Sequence, residues 1–497
     1  MSEAVAQDPR ASTGISGLDE LLFGGLPAHR LHLIEGDPGT GKTTLALQFL
    51  MEGRTGGESC LYVTLSETAA ELRAVAASHG WGLEGIEVLE LAPPGGRTEE
   101  QYTLFHPAEI ELAEMVRKVL EITDRVRPKR VVLDSLSEMR LLARDPLRYR
   151  RQILALKEYF AGRECTVLML DDRTSSDEDL QLRSIAHAVV FLEQMPAEYG
   201  RSRRRLRIVK VRGVAGIEGF HDFKIRKGGI AVYPQLIPTP NDRVSREPMT
   251  AGLAEMDALV GGGLLPGTCT LFIGPAGVGK STFASQYIVA NGSLTSAAVY
   301  LFDERRRTFI SRSDDVGMKM SALVESGRVT IEQVEPGEVS PGEFAHRVCE
   351  RVNAGGARIV MIDSLNGYLH AIPTGHSPLV RMHELIAYLN DRGVVTLLVA
   401  AQHGLMGMAM SSPVDVTYLA DTVILFRYFE AEGEVRKAVS VMKKRTGAHE
   451  STIREYAVSS TGLHVGDPLR QFHGVMTGIP TYRGDGKPLF QSDAQQR

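Results

Sequence analysis

Short apolar runs alternate along the chain with longer amphipathic stretches. LHLIE (31–35), LYVTL (61–65), RVVLDS (130–135), TVLML (166–170) and AVVFL (188–192) are rich in branched residues and bounded by Gly, Asp or Ser. Runs of this length and makeup predict strands buried on both faces. Between them, segments such as AEIELAEMVRKVLEITDRV (108–126) place apolar residues at helical spacing. Strands alternating with helices predict an α/β fold, a mostly parallel sheet flanked by helices.

The pattern occurs twice. From Thr13 the chain reads TGISGLDELLFGGLPAHRLHLIEGDPGTGKTTLALQF, and from Thr250 it reads TAGLAEMDALVGGGLLPGTCTLFIGPAGVGKSTFASQY. Asp19 and Asp257, Gly36 and Gly274, and Lys42 and Lys280 all stand 238 residues apart. Downstream, LYVTLSE (61–67) matches VYLFDE (299–304), KRVVLDSL (129–136) matches ARIVMIDSL (357–365), and RIVKVRG (207–213) matches SVMKKRTG (440–447). A period this long indicates a duplicated domain rather than a solenoid. The expected organisation is an N-terminal domain over 1–237, a proline-rich linker over 238–248, a C-terminal domain over 249–466 and a loosely ordered tail over 467–497.

Each half carries GxxxxGK[ST] after a strand and before a helix: GDPGTGKT at 36–43 and GPAGVGKS at 274–281. Glycines there let backbone N–H groups turn inwards around phosphate, and the helix N-terminus adds its positive end. In the first loop this assigns Gly39, Thr40, Gly41, Lys42, Thr43 and Thr44; in the second, Gly277, Val278, Gly279, Lys280, Ser281 and Thr282. Lys42 and Lys280 would reach the β- and γ-phosphates of ATP, and Thr43 and Ser281 would ligate Mg²⁺. Asp134 and Asp363 end the strands VVLD and IVMID and read as the second acid on the metal side, or else as helix N-caps.

Water attacking a γ-phosphate needs a carboxylate to orient or deprotonate it. The strand after the second loop's helix ends in Asp303 and Glu304, whereas its counterpart ends in Ser66 and Glu67. The first site is therefore expected to work with one acid fewer. The alternative for all of these acids is a solvated loop start. The basic stretch RSRRRLRIVKVRG (201–213) keeps only Lys443, Lys444 and Arg445 in the second half. The shared Lys-x-Arg, Lys210 with Arg212 and Lys443 with Arg445, reads as a γ-phosphate sensor or arginine finger offered to a neighbour. A solvated strand face and a DNA patch are the competing readings, and the stretch has no interleaved aromatic residues for stacking bases.

Composition narrows the choice. The 497 residues are 43% hydrophobic and 24% charged with a net charge of −5, the ordinary mix of a globular protein with no global pull towards nucleic acid or anionic membrane. Four cysteines lie far apart with no CxxC, which argues against a zinc site or a disulfide framework. No apolar run is long enough to span a bilayer and the first residues lack a signal-peptide pattern, so a cytoplasmic location is expected.

Taken together, the TGxxGLDxLxxGG lead-in, the loop, the acidic strand end, the LDS or IDS strand and the Lys-x-Arg strand resemble the KaiC family of RecA-like ATPases and autokinases. The resemblance covers roughly residues 12–465 in both halves. It implies a homohexameric ring with ATP at subunit interfaces, Lys210, Arg212, Lys443 and Arg445 reaching in from the adjacent subunit, and Ser78 and His79 near the adenine. It also places Thr417 and Tyr418 where the family's clock member carries its phosphorylated Ser-Thr pair, making Thr417 a candidate phosphosite; packing before a strand is the other reading. The tail does not match that member's partner-binding tail, so timekeeping is not implied, and a signalling partner such as a sensor kinase is expected. Two alternatives stay open: a RecA/RadA-type DNA-dependent ATPase, and a module whose assembly nucleotide merely switches.

Overall fold

The structure, a computed structural model, describes residues 9–91, 107–143, 145–172, 179–196, 201–213, 217–237, 247–370, 378–402, 416–477 and 481–482. The chain divides into two compact units, Met1–Gln235 and Leu236–Arg497. Each is built on one nine-stranded sheet.

In the first unit the strands are β1 (Leu31–Gly36), β2 (Cys60–Thr64), β3 (Ile86–Glu90), β4 (Arg130–Asp134), β5 (Thr166–Asp172), β6 (Ala188–Met195), β7 (Arg203–Val211), β8 (His221–Arg226) and β9 (Gly229–Tyr233). Their order across the sheet is β3-β2-β4-β5-β1-β6-β7-β8-β9. In the second unit they are β10 (Cys269–Gly274), β11 (Ser296–Leu301), β12 (Val329–Gln333), β13 (Ala357–Asp363), β14 (Val395–Ala401), β15 (Thr422–Ala431), β16 (Glu434–Lys444), β17 (Arg454–Ser459) and β18 (Gly462–Pro468). The order is β12-β11-β13-β14-β10-β15-β16-β17-β18, the same permutation nine strands on. From β3 to β6 and from β12 to β15 all neighbours are parallel, and the last three strands of each sheet join antiparallel. The parallel part fits the crossover pattern of the sequence. The antiparallel wing follows from short connections that leave no room for a crossover helix.

Both faces of each sheet are covered, as the unbroken apolar runs require. Ile34, Tyr62, Val132 and Leu168 pack with Leu45 and Phe49 on one face of the first sheet. Leu33, Val63, Val131 and Val167 pack with Leu112, Ile153 and Phe160 on the other. The helix expected over 108–126 runs Pro107–Val126. Among the described residues no helix is long and apolar enough to cross a membrane.

One expectation is too broad. Residues 467 onwards were expected to be loosely packed, yet Val475 is fully buried with Phe429, Ala431 and Ala438, and the Phe472 ring meets Phe429 at 5.7 Å. Phe472 and Val475 cover the outer end of the β15–β16 hairpin, which a polar tail would leave exposed. Residues 478–480 and 483–497 lie outside the described residues.

The lead-in motif has a structural task. Asp19 accepts hydrogen bonds from the Thr13 N–H (2.8 Å), the Thr13 hydroxyl (2.7 Å) and the Ser12 hydroxyl (2.9 Å), tying the incoming chain to the first helix. Asp257 repeats the main-chain bond to Ala251 N–H (2.7 Å) without the hydroxyls. Thr13 is fully buried. Asp19→Ala should therefore cost the first unit about 1–3 kcal/mol, because a buried donor loses its partner. Urea titration should register a larger loss for Asp19→Ala than for Asp257→Ala; the reverse order would contradict this account.

Candidate functional site

The central strands β1 and β10 run directly into the two glycine-rich loops. Gly39 and Gly41 adopt φ of 81° and 109°, and Gly277 and Gly279 adopt 75° and 109°. Only glycine takes such angles without strain. Close approach imposes a second limit, since a Cβ on Gly36 would lie 2.6 Å from the Leu192 carbonyl oxygen and one on Gly274 2.6 Å from that of Phe426. Gly41 and Gly279 cap the helices Lys42–Thr55 and Lys280–Asn291, and neither helix has a side-chain cap. The first-turn N–H groups thus face the loop without a side-chain acceptor, the arrangement that takes phosphate. The Thr40 hydroxyl closes the first loop on the Asp37 carbonyl (2.8 Å); Val278 is fully buried in its place. Thr44 is buried and Thr282 half-buried on the same helix turns.

Both loop lysines fold back beneath their loops. Lys42 Nζ donates to the carbonyls of Gly36 (2.8 Å) and Asp37 (3.0 Å), and Lys280 Nζ to those of Gly274 (3.0 Å) and Pro275 (2.7 Å). Burial lowers the Lys280 pKa to about 8. The Thr43 hydroxyl donates to Asp134 Oδ2 at 3.3 Å, and Tyr62 donates to the same oxygen at 2.5 Å. Burial raises the Asp134 carboxyl above its usual range, against those two hydrogen bonds. Asp363 is likewise raised by burial, with a hydrogen bond from Ser281 opposing. One hydroxyl and one carboxylate per loop suit Mg²⁺, which keeps most of its ligands as water and phosphate oxygens. Among the described residues no group of three or more His, Cys, Asp or Glu forms a metal cage.

The two sites differ in what surrounds these shared parts. Glu67 Oε2 is buried without a hydrogen-bond partner; burial first, then repulsion from Asp134, raises its carboxyl. Ser66 points to solvent. In the second unit Asp303 accepts from the Ser364 hydroxyl, while Glu304 is gripped by Arg312 through two hydrogen bonds of 2.8 and 2.9 Å. Arg312 stands eight residues after Glu304; eight after Glu67 stands Val75.

A residue not anticipated from the sequence joins the first site. Asp172 Oδ1 lies 2.7 Å from Lys42 Nζ. It ends β5, paired beside Gly36, and the corresponding position beside Gly274 is Ala401. The signal was present in TVLMLDD against VTLLVAA, but lay one strand away from the acids under consideration.

The Lys-x-Arg pairs do not reach the loop of their own unit. Lys210 pairs with Val189, which pairs with Leu33, near the start of β1 and remote from the loop at its end. Lys210 donates to the Arg183 carbonyl and Arg212 to that of Ser184. Burial, then Arg212 and Lys157, lowers the Lys210 pKa. Lys443 donates to the carbonyls of Thr417 (3.0 Å) and Ala420 (2.9 Å), and Arg445 to that of Tyr418 (3.1 Å) and to Asp421 (3.3 Å). Thr417 and Tyr418 begin a short 3-10 turn before β15, and Tyr418 is 46% exposed. Ser78 turns its hydroxyl onto the Val75 carbonyl of its own helix (2.7 Å), a habit of serines at helix ends. His79 instead lies 3.5 Å from the Thr44 hydroxyl and 4.9 Å, ring to ring, from Trp81.

Sheet order, loop and buried lysine define two tandem RecA-like P-loop nucleoside-triphosphatase domains. The chain belongs to the KaiC family: the family model described as "ATPase: KaiC" matches residues 11–237 and again 249–470. It is similar to the "Circadian clock protein KaiC3" of Synechocystis sp., 26% identical over 488 residues and 95% of each chain. It is also similar to the "Circadian clock oscillator protein KaiC" of Synechococcus elongatus, 25% identical over 479 residues, 94% of this chain and 91% of that one. The same-named protein of Parathermosynechococcus lividus is 25% identical over 494 residues. The chain is thus an ATP-binding protein of an ATPase family.

The Lys280 shift sets a pH dependence. A lysine holds phosphate as the ammonium, and with its pKa lowered to about 8 it loses that proton as pH rises through 8. With the first site silenced by Lys42→Ala, nucleotide affinity at the second should fall up to about tenfold between pH 8 and 9. Isothermal titration would check this, and an affinity flat to pH 9 would contradict it.

Proposed function

We propose that the chain forms a homohexameric ring that binds Mg²⁺-ATP at both tiers of subunit interfaces, hydrolyses it slowly, and phosphorylates itself at Thr417 in the C-terminal tier. One observation carries the reading: in both units the Lys-x-Arg pair stands at the sheet end opposite its own loop. A cationic pair so placed does not reach the phosphates of its own loop, and in this reading it completes the site of an adjacent subunit. The Thr417 carbonyl accepts from Lys443, so a neighbour's loop that meets this pair also meets the Thr417 hydroxyl.

In this scheme Lys42 and Lys280 hold the terminal phosphates, and Thr43 with Asp134 and Ser281 with Asp363 hold the metal, which neutralises the developing charge. Glu67, and Asp303 or Glu304, orient the attacking group and take its proton. Lys210 with Arg212, and Lys443 with Arg445, stabilise the transferring phosphoryl from the adjacent subunit, a contribution of about 10³–10⁵ in rate where such groups act. For autophosphorylation the Thr417 oxygen attacks the γ-phosphorus, its proton passes to Asp303 or Glu304, and ADP leaves. The first unit, with Ser66 in place of an acid, serves chiefly assembly. The output lies in signalling or regulation through a protein partner; the relatives' clock role is not carried over.

The test measures ATP hydrolysis, labelled-phosphate incorporation and oligomer mass for Lys42→Ala and Lys280→Ala. Lys42→Ala should abolish ring assembly, and Lys280→Ala should abolish incorporation while rings persist. Incorporation that survives Lys280→Ala, or monomers at every nucleotide concentration, would sink the scheme. Hydrolysis should also be indifferent to single-stranded DNA.

The Arg312 grip on Glu304 yields a further expectation. With first-site turnover silenced by Glu67→Gln, which leaves Lys42 and ring assembly in place, Arg312→Val should release Glu304 and raise hydrolysis at the second site severalfold, whereas Glu304→Gln should lower it by roughly 10²-fold. A slower Arg312→Val enzyme would mean that Arg312 positions Glu304 rather than restrains it.

A further inference from the structure

Lys42 has three N–H donors, and all three are engaged: the Gly36 carbonyl at 2.8 Å, the Asp37 carbonyl at 3.0 Å and Asp172 Oδ1 at 2.7 Å. The two carbonyls belong to the loop and have counterparts in the second unit, where Lys280 donates to Gly274 and Pro275. The third partner has none. Beside Gly274 the sheet presents Ala401, and among the described residues no carboxylate pairs with Lys280. The Lys42 side chain is 7% exposed, that of Asp172 28%; the lysine is fixed beneath the loop and the aspartate stands at the rim. Asp172 Oδ2 also receives the Ser137 hydroxyl at 3.4 Å.

We propose that Asp172 is a displaceable internal counter-ion of the first phosphate loop, occupying on Lys42 the place a nucleotide's terminal phosphates must take. The inference rests on the reading of both loops as nucleotide sites. An incoming polyphosphate must break the Lys42–Asp172 pair and push a carboxylate aside, against its own negative charge. At the second loop, among the described residues, the third lysine donor meets no such competitor. Asp172 thereby sets the affinity difference between the two loops. The first fills at higher nucleotide concentration than the second and favours the triphosphate, whose additional charge best displaces a carboxylate.

The full-length chain tests this by titration with ATPγS, one site silenced at a time. In Lys280→Ala, the added change Asp172→Ala should tighten binding at the first site on the order of tenfold, since a partly buried ion pair no longer has to be broken. Asp172→Asn should give a smaller gain. In Lys42→Ala, the reciprocal Ala401→Asp should install the counter-ion and weaken binding at the second site by a similar factor. The gain in Asp172→Ala should be larger for ADP than for ATPγS, because the preference for the triphosphate goes with the carboxylate. Unchanged or weaker binding in Asp172→Ala, with Ala401→Asp also without effect, overturns the proposal and makes Asp172 a structural or metal-side group. Absence of binding in both silenced backgrounds would overturn the nucleotide reading together with the proposal.

Discussion

The rest of each unit depends on a loop that must point its backbone N–H groups at a phosphate while leaving a buried lysine beneath it. Left-handed glycines are the only residues that allow the turn, and the close approach of Leu192 or Phe426 to the preceding strand end admits no side chain there. A loop so constrained needs a rigid strand before it and a helix after it. It finds both in a central parallel strand buried on two faces, flanked by β5 and β6 or by β14 and β15. The lysine, buried beneath the loop, donates to carbonyls of that same loop. Those carbonyls set the point from which every other group in the site is measured.

Because that core is so constrained, duplication could change it little, and divergence went into the surroundings. The two units meet the same lysine–carboxylate chemistry from opposite directions. In the first, an acid from β5 binds the loop lysine, and Glu67 Oε2 is buried without a hydrogen-bond partner. In the second, an arginine from the following helix binds Glu304, and among the described residues the lysine makes no direct ion pair, with Asp363 acting on it only at a distance. One site restrains its binding group, the other its candidate base.

What could be read from the sequence follows the range of the interactions. The duplication, the loops, the two Asp-Ser strand ends and the parallel strands are written in contiguous residues, so periodicity and spacing reveal them. Asp172 could not be assigned in that way: it is 130 residues from Lys42 and meets it only because β1 and β5 are neighbours in the sheet. Arg312 lies two helical turns from Glu304 in a run of several basic residues, with nothing local to mark it out. Ser78 was placed by resemblance, but its hydroxyl satisfies itself on its own helix, and the neighbouring His79 is the side chain that turns towards the loop helix. The tail shows no periodicity, so its two anchoring residues, Phe472 and Val475, separated by His473 and Gly474, do not stand out in the sequence.

The count of acids at the first site therefore needs a different interpretation from the one that Ser66 alone suggests. Replacing the first member of a strand-end acid pair by serine removes a carboxylate from the side of the loop where the attacking group would stand. Asp172 restores one on the side of the lysine. Total charge near the loop is thus kept, but a carboxylate facing the nucleophile favours turnover, whereas one facing the lysine competes with the nucleotide itself. A site arranged in the second way responds to how much nucleotide is present more than it consumes it. Such a loop would suit the division proposed above, in which the first site reports occupancy to an assembly and the second, with Asp303 and Glu304, performs the transfer.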